Sequence, residues 1–469
     1  MIAPGSRIHF VGIGGAGMSA IASVLIARGY AVSGSDLRES EITKRLRAAG
    51  ARIQIGHAAE HIEPGQIVVI SRAVPESNVE VQMAKRRGVT LLHRAEMLAS
   101  LMEGKRGVAV VGTHGKTTTT SMIARVLEQA GRDPTVLIGG EVDDFGGNAR
   151  AGRGEDVVAE VDESDGSLLH VVPQIAVLTN FDGTDHLDFY GSVEQVVETY
   201  RRFLGRIPAG GLAIICADPA AGRTLAQDVR RGEGAKVITY GLEAGADYQA
   251  RVLEMAGARS VFEVRRDDDV LGTVTLAVPG AYNVQNALGA VAAGLELGVP
   301  FASAAASLAA FRGVQRRFTV RGEVGGVLVV DDYAHNPTKV RSLLQATRRG
   351  WPLARIIAVF QPHRYSRTQT VGPQFGGVFD AADEVIITKL YAADEPPLPG
   401  VDEGIIVRAV GAQRPVHDIA DPAQVVSYLE ERVRPGDLVL TIGAGDVWQI
   451  GDALVSRLRA RAAEVAARG

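Results

Sequence analysis

Short runs of apolar residues alternate with longer amphipathic stretches along most of the chain. Runs such as RIHFV at 7–11 and GVAVV at 107–111 have the length and the β-branched content of buried strands. Stretches such as MSAIASVLIARGY at 18–30 and TTTTSMIARVLEQAG at 117–131 repeat apolar residues with the period of a helix. Strands that alternate with helices are typical of α/β domains with largely parallel sheets, so we predict this fold class.

The order of these elements divides the chain into three predicted domains. A chain of 469 residues exceeds the size of one core, and the segments 101–107 and 311–326 separate three series of strands. Residues 237–279 instead show the alternating positions and short turns of antiparallel strands. We predict a Rossmann-like N-terminal domain, a P-loop ATPase-like central domain with a small antiparallel β insertion, and a Rossmann-like C-terminal domain. Their predicted bounds are 1–106, 107–320 and 321–469.

Composition excludes several classes of protein. The hydrophobic fraction is 46%, the charged fraction is 22%, and the net charge is −4 without a basic run, so neither disorder nor nucleic-acid binding is indicated. The single cysteine, Cys216, excludes an internal disulfide framework and a cysteine-based zinc site. The N-terminus lacks the pattern of a secretory signal and no apolar run approaches about 18 residues. We therefore expect a soluble, cytoplasmic protein with no membrane span.

A glycine-rich loop, GIGGAG at 12–17, follows the first predicted strand and opens a helix. Gly12, Gly14 and Gly17 match the pattern G-x-G-x-x-G, and Asp36 lies where an acidic residue follows this fingerprint. The backbone amides of such a loop bind a pyrophosphate, which both a dinucleotide and a UDP-sugar contain. The loop therefore indicates a diphosphate site and leaves the ligand open.

A second glycine-bearing loop, GTHGKTTTT, also lies between a predicted strand and a helix. Gly115, Lys116 and Thr117 match the end of a phosphate-binding loop. Val110 stands where the first glycine is expected, and Gly112 replaces that glycine in a shorter loop. Backbone amides and a lysine suit the β- and γ-phosphates of ATP, and a threonine hydroxyl suits Mg²⁺. We expect this loop to bind ATP.

Carboxylates follow the next strands of the same predicted sheet. The segment DVVAEVDESD contains Asp162, Glu163 and Asp165 near its end, and the strand after it runs into Asp185 and His186. The carboxyl ends of parallel strands meet at one edge of a sheet, where ligands bind. Since oxygen ligands suit Mg²⁺ in phosphate sites, we expect a magnesium site here.

Two segments that follow predicted strands of the C-terminal domain, DDYAHNP and FQPHRYSRT, concentrate ionisable and aromatic residues. A guanidinium group presents a planar fork of donors that matches a carboxylate or a phosphate. We therefore expect a binding site at this edge of the sheet. Its candidate residues are Asp332, Tyr333, His335, His363, Arg364, Tyr365 and Arg367.

Together these segments resemble the Mur ligase family over nearly the whole chain. The similar motifs, in order, are GIGGAGMSAIA, GTHGKTTTT, DESDGS, DHLDFY, PGAYNVQNALGA, FRGVQRRF, DDYAHNPTKV and FQPHRYSRT. The resemblance implies an ATP-dependent, amide-forming ligase of peptidoglycan precursor synthesis, present as a monomer or homodimer. ATP would phosphorylate the lactyl carboxylate of UDP-N-acetylmuramic acid, and the amine of L-alanine would attack the acyl phosphate. The acyl phosphate must be kept from water, which implies domain closure.

The resemblance also implies roles for individual residues. Those implied for ATP are Gly112, Thr113, His114, Gly115, Lys116, Thr117, Thr118, Asn283, Asn286 and Arg317. Those implied for the UDP-sugar are Gly12, Gly14, Gly15, Gly17, Ser35, Asp36, Ser71, His93 and Arg94. Those implied for L-alanine are Tyr333, His335, Arg364 and Arg367. Lys116, Glu163 and His186 are implied to be catalytic, and Thr117, Glu163 and His186 to hold Mg²⁺.

The chain differs from comparable family members in two respects. The segment 180–185 looks one residue longer, which affects the placement of His186. Several sister ligases use a carbamylated lysine near a second metal ion. No lysine lies between Lys116 and Lys236 in this chain, so none is expected here.

Three other functions are compatible with parts of the sequence. A sister ligase that adds a peptide, such as the murein tripeptide, to the same UDP-sugar would share the first loop and need a larger C-terminal pocket. An NAD-dependent dehydrogenase would explain GIGGAG but would leave GTHGKTTTT and DESDGS without a role. A P-loop binding or switch protein would not need the clustered C-terminal arginines.

Overall fold

The computed structural model of the chain describes residues 2–142, 145–181, 187–232, 234–393 and 395–468. These residues form three β-sheets with helices between their strands, as predicted for an α/β protein. The chain separates into two compact units. The first comprises Met1–Leu253, Phe262–Thr275 and Asn283–Arg312, and the second comprises Glu254–Val261, Leu276–Tyr282 and Gly313–Gly469.

The N-terminal sheet is parallel and has the topology of a Rossmann-like domain. Its strands are β1 (Arg7–Val11), β2 (Ala31–Asp36), β3 (Arg52–Ile55), β4 (Gln66–Ile70) and β5 (Thr90–His93). The helices are α1 (Ala16–Ala27), α2 (Glu41–Ala48), α3 (Val79–Arg86) and α4 (Arg94–Met102), with a 3-10 turn at Ala59–His61. The strand order is β3-β2-β1-β4-β5. β2 and β3 are added on one side of β1, and β4 and β5 on the other, so the direction of winding reverses beside β1. Ligands bind at such a switch point, beyond the carboxyl ends of the strands.

The central sheet continues the alternation of strands and helices. Its strands are β6 (Arg106–Val111), β7 (Thr135–Val142), β8 (Gly147–Arg150), β9 (Asp156–Glu160), β10 (Ile175–Leu178), β11 (Leu212–Cys216), β12 (Lys236–Gly241), β13 (Tyr248–Ala256), β14 (Arg259–Arg266) and β15 (Asp269–Leu276). The helices are α5 (Lys116–Gln129), α6 (Leu187–Tyr190), α7 (Val193–Leu204), α8 (Ala220–Arg231), α9 (Ala281–Glu296) and α10 (Phe301–Ala309), with a 3-10 turn at Ser167–His170. β6 pairs in parallel with β9 on one side and β10 on the other, so the segments after these strands meet at one edge.

The predicted β insertion consists of β13, β14 and β15, which extend the central sheet rather than form a separate layer. These strands are neighbours joined by two-residue turns at 257–258 and 267–268, a connection that only antiparallel strands allow. Residues 237–241, which we assigned to the insertion, belong instead to β12, which pairs in parallel with β11. The period of so short an apolar run does not distinguish the two arrangements.

The C-terminal sheet has one antiparallel edge strand on a parallel core. Its strands are β16 (Thr319–Val324), β17 (Val327–Asp332), β18 (Arg355–Phe360), β19 (Glu384–Ile387), β20 (His417–Asp418) and β21 (Asp437–Ile442). The helices are α11 (Pro337–Gly350), α12 (Tyr365–Val371), α13 (Gly404–Gly411), α14 (Pro422–Arg432) and α15 (Trp448–Arg468), with a 3-10 turn at Gly372–Phe375. The order is β16-β17-β21-β18-β19-β20, and β16 is the antiparallel strand.

Alternate residues of β18 pack into different apolar clusters. Ile356 and Phe360 belong to one cluster, whereas Ile357 and Val359 belong to the other. A strand covered on both faces needs an uninterrupted apolar run, which explains why RIIAVF shows no alternation.

The last helix, α15, has one apolar face against the C-terminal sheet. Leu454 and Val455 are buried there, while Arg457 and Arg461 pair with groups at the protein surface. None of the helices within the described ranges is long and apolar enough to cross a membrane.

Candidate active site

The loop that joins β6 to α5 is built around two glycines. Gly112 has φ +129° and Gly115, the N-terminal cap of α5, has φ +78°, in the region that favours glycine. A Cβ atom would collide with the Thr179 hydroxyl at Gly112 and with the Asn286 amide at Gly115. The loop therefore approaches its neighbours more closely than a side chain would allow. It leads into a helix N-terminus, as in sites that bind phosphate.

Thr179 and Asn180, which follow β10 directly, hold this loop in place. The backbone amide of His114 donates to Asn180 Oδ1 at 2.9 Å, and the Asn180 side-chain nitrogen Nδ2 donates to the His114 carbonyl at 3.0 Å. The Thr179 hydroxyl donates to the same carbonyl at 2.5 Å. Neither residue is among the sequence-predicted site residues. Their position directly after a strand that neighbours β6 is the feature that could have identified them.

Lys116, the first residue of α5, forms an ion pair with Glu163 on the segment after β9. Its Nζ lies 2.8 Å from both carboxylate oxygens of Glu163 and donates to the Gly112 carbonyl at 2.7 Å. Burial lowers the pKa of Lys116, but the carboxylates of Glu163, Asp162 and Glu160 outweigh burial, so the pKa is raised. Lys116 therefore keeps its positive charge inside the loop.

Two asparagines of α9 border the second glycine loop. The Thr119 hydroxyl donates to Asn286 Oδ1 at 3.3 Å, and Asn286 Nδ2 donates to Asn283 Oδ1 at 3.3 Å. Both asparagines are buried, and Asn286 is the residue against which Gly115 packs. The structure thus places Asn286 against the loop and Asn283 next to Asn286.

The structure describes two of the three residues predicted to hold Mg²⁺. Glu163 is buried beside Lys116, and Thr117 is half-buried in the first turn of α5. Carboxylate and hydroxyl oxygens are ligands that Mg²⁺ prefers, and Mg²⁺ in nucleotide sites takes few protein ligands besides phosphate oxygens, so these two residues fit the ion. Within the described ranges, no group of three or more His, Cys, Asp or Glu is placed to hold a metal ion by itself. Asp185 and His186 lie outside the described residues.

The end of β2 fixes the first glycine loop. The amides of Gly12 and Ile13 donate to the Ser35 carbonyl at 2.8 and 3.0 Å, and the Gly14 amide donates to Asp36 Oδ2 at 2.8 Å. Gly12 has φ +77°, and a Cβ atom at Gly14 would lie 2.9 Å from the same Asp36 oxygen. Asp36 therefore accepts from the loop itself, a contact that the sequence fingerprint does not indicate.

Ser35 and Ser71 occupy different environments. Ser35 is fully buried, and its hydroxyl donates to Glu80 Oε2 at 2.6 Å. Ser35 thus shapes the loop through its carbonyl while its hydroxyl faces the interior. Ser71 is half-buried directly after β4, the neighbour of β1 at the switch point.

His93 and Arg94, at the junction of β5 and α4, connect the first glycine loop with the carboxylates after β9. The Arg94 guanidinium packs on Gly17, where a Cβ atom would lie 2.7 Å from Nη1, and its Nη2 is 3.4 Å from Asp162 Oδ2. His93 Nε2 lies 3.7 Å from Asp165 Oδ2, and burial lowers the pKa of His93 despite this carboxylate. The two predicted UDP-sugar residues therefore contact the predicted metal-binding segment.

Asp162 links the two glycine loops electrostatically. Burial raises its pKa, but Lys116 and Arg94 outweigh burial and hold the pKa below its ordinary value. Arg94 packs on Gly17 of the first loop, and Lys116 belongs to the second loop. The Asp162 carboxylate thus interacts with Lys116 of the second loop and with Arg94, which packs on the first loop.

A strained turn before β16 presents Arg317. Arg316 and Phe318 have φ +59° and +51°, which non-glycine residues rarely adopt. The Phe318 amide donates to Asp332 Oδ2 at 2.8 Å, and burial raises the pKa of Asp332 even beside Arg317. The Arg317 guanidinium carbon lies 5.2 Å from the centre of the Tyr333 ring. The turn therefore directs Arg317 toward the aromatic residues after β17.

The predicted amino-acid site gathers aromatic and cationic side chains after β17 and β18. The His335 ring centre lies 5.5 Å from that of Tyr333 and 6.0 Å from that of His363. Arg367 Nη1 donates to His363 Nδ1 at 2.8 Å. The Tyr391 ring stacks on His363 with centres 5.7 Å apart and 9° between the planes. Tyr391 was not predicted, because it follows a different strand and no local motif marks it.

Arg364 lies at the edge of this group. It has φ +68° immediately before α12, and its half-exposed guanidinium lies 3.9 Å from Glu395 Oε1. Glu395 also accepts from the Ser366 amide and hydroxyl at 3.0 and 2.7 Å. Glu395 thus lies next to the predicted Arg364, although no local motif marks Glu395. Tyr365 begins α12 beside Arg364.

The two histidines of this group are neutral near pH 7. Burial lowers the pKa of His335 well below its ordinary value, and burial, with Arg367 and Arg364, lowers the pKa of His363 to about 4. Since His363 accepts from Arg367 through Nδ1, its neutral form carries the ring proton on Nε2. The positive charge of the site therefore belongs to its arginines, which suits an anionic group such as a carboxylate.

Three family models match successive parts of the chain. "Mur ligase family, catalytic domain" matches residues 7–106, "Mur ligase middle domain" matches 110–294, and "Mur ligase, glutamate ligase domain" matches 316–445. The three matches follow the order of the three sheets.

Individual proteins resemble the chain over almost its full length. A UDP-N-acetylmuramate–L-alanine ligase of Trichlorobacter lovleyi is 48% identical over 455 residues, which cover 96% of this chain and 99% of that protein. The crystal structure of UDP-N-acetylmuramate-alanine ligase from Thermotoga maritima matches with a TM-score of 0.82 and 29% identity, covering 97% of this chain and 99% of that one. A murein peptide ligase from Psychrobacter arcticus matches with a TM-score of 0.70 and 25% identity, at the same coverage.

Proposed function

Because this chain belongs to the Mur ligase family, we propose that it joins L-alanine to the lactyl carboxylate of UDP-N-acetylmuramic acid and converts ATP to ADP and phosphate. The reaction is a step of peptidoglycan precursor synthesis. Relatives that are 48% and 47% identical over nearly the whole chain carry the name of this reaction.

The link between the two glycine loops is the observation that carries this proposal. Asp162 interacts with Arg94, which packs on Gly17 of the first loop, and with Lys116 of the second. A reaction that brings the end of one nucleotide-linked substrate to the γ-phosphate of another uses both loops at once. A dehydrogenase would use only the first loop, and a P-loop switch protein would use only the second.

A carboxylate is a weak electrophile, so the lactyl carboxylate must be activated before an amine can attack it. A lactyl carboxylate oxygen attacks the γ-phosphorus of ATP, and the bond between this phosphorus and the oxygen of ADP breaks. The resulting acyl phosphate has phosphate as a leaving group. The L-alanine nitrogen then attacks the acyl carbon, phosphate departs, and the nitrogen loses a proton to give the amide. Lys116 would stabilise the negative charge on the transferring phosphoryl oxygens.

We assign the ATP contacts to the second loop and its neighbours. The proposed residues are Gly112, Thr113, His114, Gly115, Lys116, Thr117, Thr118, Asn283, Asn286 and Arg317. Thr117 and Glu163 would hold Mg²⁺, with His186 as a further ligand. Bound there, Mg²⁺ would neutralise phosphate charge.

The first loop and the end of β5 supply the proposed contacts to the UDP-sugar. Gly12, Gly14, Gly15 and Gly17 would approach the diphosphate, and Asp36, Ser71, His93 and Arg94 would complete the site. Ser35 would act through the loop that its carbonyl holds. For L-alanine we propose Tyr333, His335, Arg364 and Arg367, with an arginine facing the amino-acid carboxylate.

We further propose a cellular location, domain bounds and an oligomeric state for the enzyme. The two nucleotide substrates suggest that the reaction takes place in the cytoplasm. We retain the domain bounds 1–106, 107–320 and 321–469, and we propose a monomer or homodimer.

A sister activity is the second candidate. The structural similarity to a murein peptide ligase favours it, although the TM-score of 0.70 is lower than the 0.82 of the alanine ligase. This candidate keeps the UDP-sugar and ATP and replaces L-alanine with a peptide.

Phosphate release separates the candidates. Purified protein is incubated with ATP, Mg²⁺ and UDP-N-acetylmuramic acid, with L-alanine, other amino acids, the murein tripeptide or no acceptor. We expect release that requires both the UDP-sugar and L-alanine. Release with the tripeptide alone would favour the sister activity, and release that needs neither substrate would contradict both candidates.

A further inference from the structure

A carboxylate with no exposed surface lies behind the first glycine loop. Glu80, in the first turn of α3, has 0% exposure. Its Oε2 accepts from the Ser35 hydroxyl at 2.6 Å, and its Oε1 lies 2.6 Å from His61 Nδ1 and accepts from the Ala58 amide at 3.3 Å. A buried carboxylate is costly unless donors of this kind surround it.

Two more histidines complete the cluster. His57 Nδ1 lies 3.4 Å from Glu80 Oε2 and is hydrogen-bonded to Ser35 Oγ at 2.9 Å. His9 on β1 is fully buried, with Nε2 3.6 Å from Glu80 Oε2 and Nδ1 hydrogen-bonded to Ser33 Oγ at 3.0 Å. The cluster therefore joins β1 and β2 to α3 through polar side chains.

Glu80 is ionised near neutral pH. Burial raises its pKa, but the neighbouring His9, Ser35 and His61 side chains outweigh burial and lower the pKa to about 2. Apolar residues of similar volume often stabilise a core as well as a buried charged group does, so stability alone does not require such a cluster. Hydrogen bonds between buried polar groups favour one side-chain geometry, and here the Ser35–Glu80 hydrogen bond lies at the end of β2.

Ser35 connects the cluster to the loop. Its hydroxyl contacts Glu80, and its carbonyl accepts from the amides of Gly12 and Ile13. The next residue, Asp36, accepts from the Gly14 amide. A shift of Ser35 would therefore move three amides of the loop together.

We propose that Glu80 is a positioning residue of the UDP-sugar site, which sets the amides of the first glycine loop through Ser35. The inference rests on the proposed function, since it assumes that this loop receives the diphosphate of UDP-N-acetylmuramic acid. Glu80 makes no contact with the ligand in this account, and the ATP loop does not depend on it.

Binding measurements test this role. The dissociation constants of UDP-N-acetylmuramic acid and of ATP are measured by calorimetry for the wild type, Glu80→Gln and Ser35→Ala. Loss of a hydrogen bond to a charged group corresponds to about tenfold in binding. We expect about tenfold weaker binding of the UDP-sugar in both variants, with ATP affinity within about twofold of the wild type. Glu76→Gln is the matched control, because Glu76 lies four positions before Glu80 and is exposed.

The variants also distinguish positioning from a general loss of structure. In Ser35→Ala, the further change Glu80→Gln should weaken UDP-sugar binding by less than about twofold, because the path through Ser35 is already broken. With saturating UDP-sugar, turnover should return to within about twofold of the wild type, since KM changes and kcat does not. If Glu80→Gln does not fold, Ser35→Ala alone tests the inference.

Several results would overturn the inference. They are unchanged UDP-sugar affinity in Ser35→Ala, equal losses for ATP and the UDP-sugar in that variant, or fully additive effects in the double variant. A wild-type protein that does not bind UDP-N-acetylmuramic acid would instead refute the proposed function, so the two failures are distinguishable.

Discussion

Lys116 and Glu163 form an ion pair in which one ammonium nitrogen lies 2.8 Å from both oxygens of one carboxylate. The pair occupies the position at which the proposed function puts phosphate next to Lys116 and Mg²⁺ next to Glu163. The ATP phosphates would therefore compete with Glu163 for the ammonium group, and Mg²⁺ would compete with Lys116 for the carboxylate. In the proposed function, binding of ATP and Mg²⁺ together would replace one internal ion pair with two contacts to ligands.

Removal of either partner should abolish turnover. Lys116→Ala and Glu163→Gln each remove a group that we assign to charge stabilisation, so we expect at least about 100-fold slower phosphate release. The control is Lys44→Ala, because Lys44 is exposed and pairs with Glu41 three positions earlier, away from the second loop. Phosphate release in Lys116→Ala at more than half the wild-type rate would refute the role of this lysine.

A methyl group at Gly115 should disturb ATP binding selectively. In Gly115→Ala the new Cβ collides with Asn286, and φ +78° is unfavourable for alanine. We expect at least about tenfold weaker ATP binding, with UDP-sugar affinity within about twofold of the wild type, measured by calorimetry. Gly131→Ala is the control just beyond the other end of α5, since Gly131 has φ +73° with no atom near its Cβ position. Equal effects of the two substitutions on ATP binding would contradict this account.

Phosphate release should require Mg²⁺ and depend on the Thr117 hydroxyl. A chelator should stop the reaction, and added Mg²⁺ should restore it. Thr117→Val keeps the shape and removes the oxygen, so we expect half-maximal activity at about tenfold more Mg²⁺. Thr117→Ser retains the oxygen and should behave like the wild type. The same Mg²⁺ requirement in both variants would remove Thr117 from the proposed site.

The parts of the fold and site that could be predicted are those specified by neighbouring residues. Gly12, Gly14 and Gly17 have fixed offsets after a strand, and Lys116 directly follows Gly115, so sequence spacing alone indicates their loops. The same is true of the alternation of strands and helices, which the three sheets confirm.

The remaining contacts depend on packing between distant segments. Ser35 and Glu80 are 45 positions apart, and only the hydrogen bond between their side chains shows that the Ser35 hydroxyl faces the interior. Tyr391 stacks on His363 because β18 and β19 are neighbours, an arrangement that no local pattern specifies. Short apolar runs such as β12 fit both parallel and antiparallel pairing.

Acid should destabilise the protein partly through His363. The pKa of His363 is lowered from 6.5 to about 4 in the folded protein, chiefly by burial. Between these values the unfolded chain binds more protons than the folded chain, so stability falls as the pH falls through this window. We expect His363→Gln to reduce the drop in the apparent unfolding midpoint between pH 7 and pH 5, measured by thermal denaturation.

The matched control for this effect is His170→Gln, because the His170 side chain is half-exposed. Its unfolding midpoint should depend on pH as that of the wild type does. The same pH dependence in His363→Gln and the wild type would show that His363 is not buried in its neutral form.

The mass of the uridine nucleotide after the reaction shows whether the protein ligates L-alanine to UDP-N-acetylmuramic acid. Wild-type protein is incubated with UDP-N-acetylmuramic acid, L-alanine, ATP and Mg²⁺, and the nucleotide is analysed by mass spectrometry. We expect a gain equal to one alanyl residue, which requires ATP and is absent in Lys116→Ala. An unchanged mass of UDP-N-acetylmuramic acid, with protein that binds both nucleotides, would refute the proposed ligase activity.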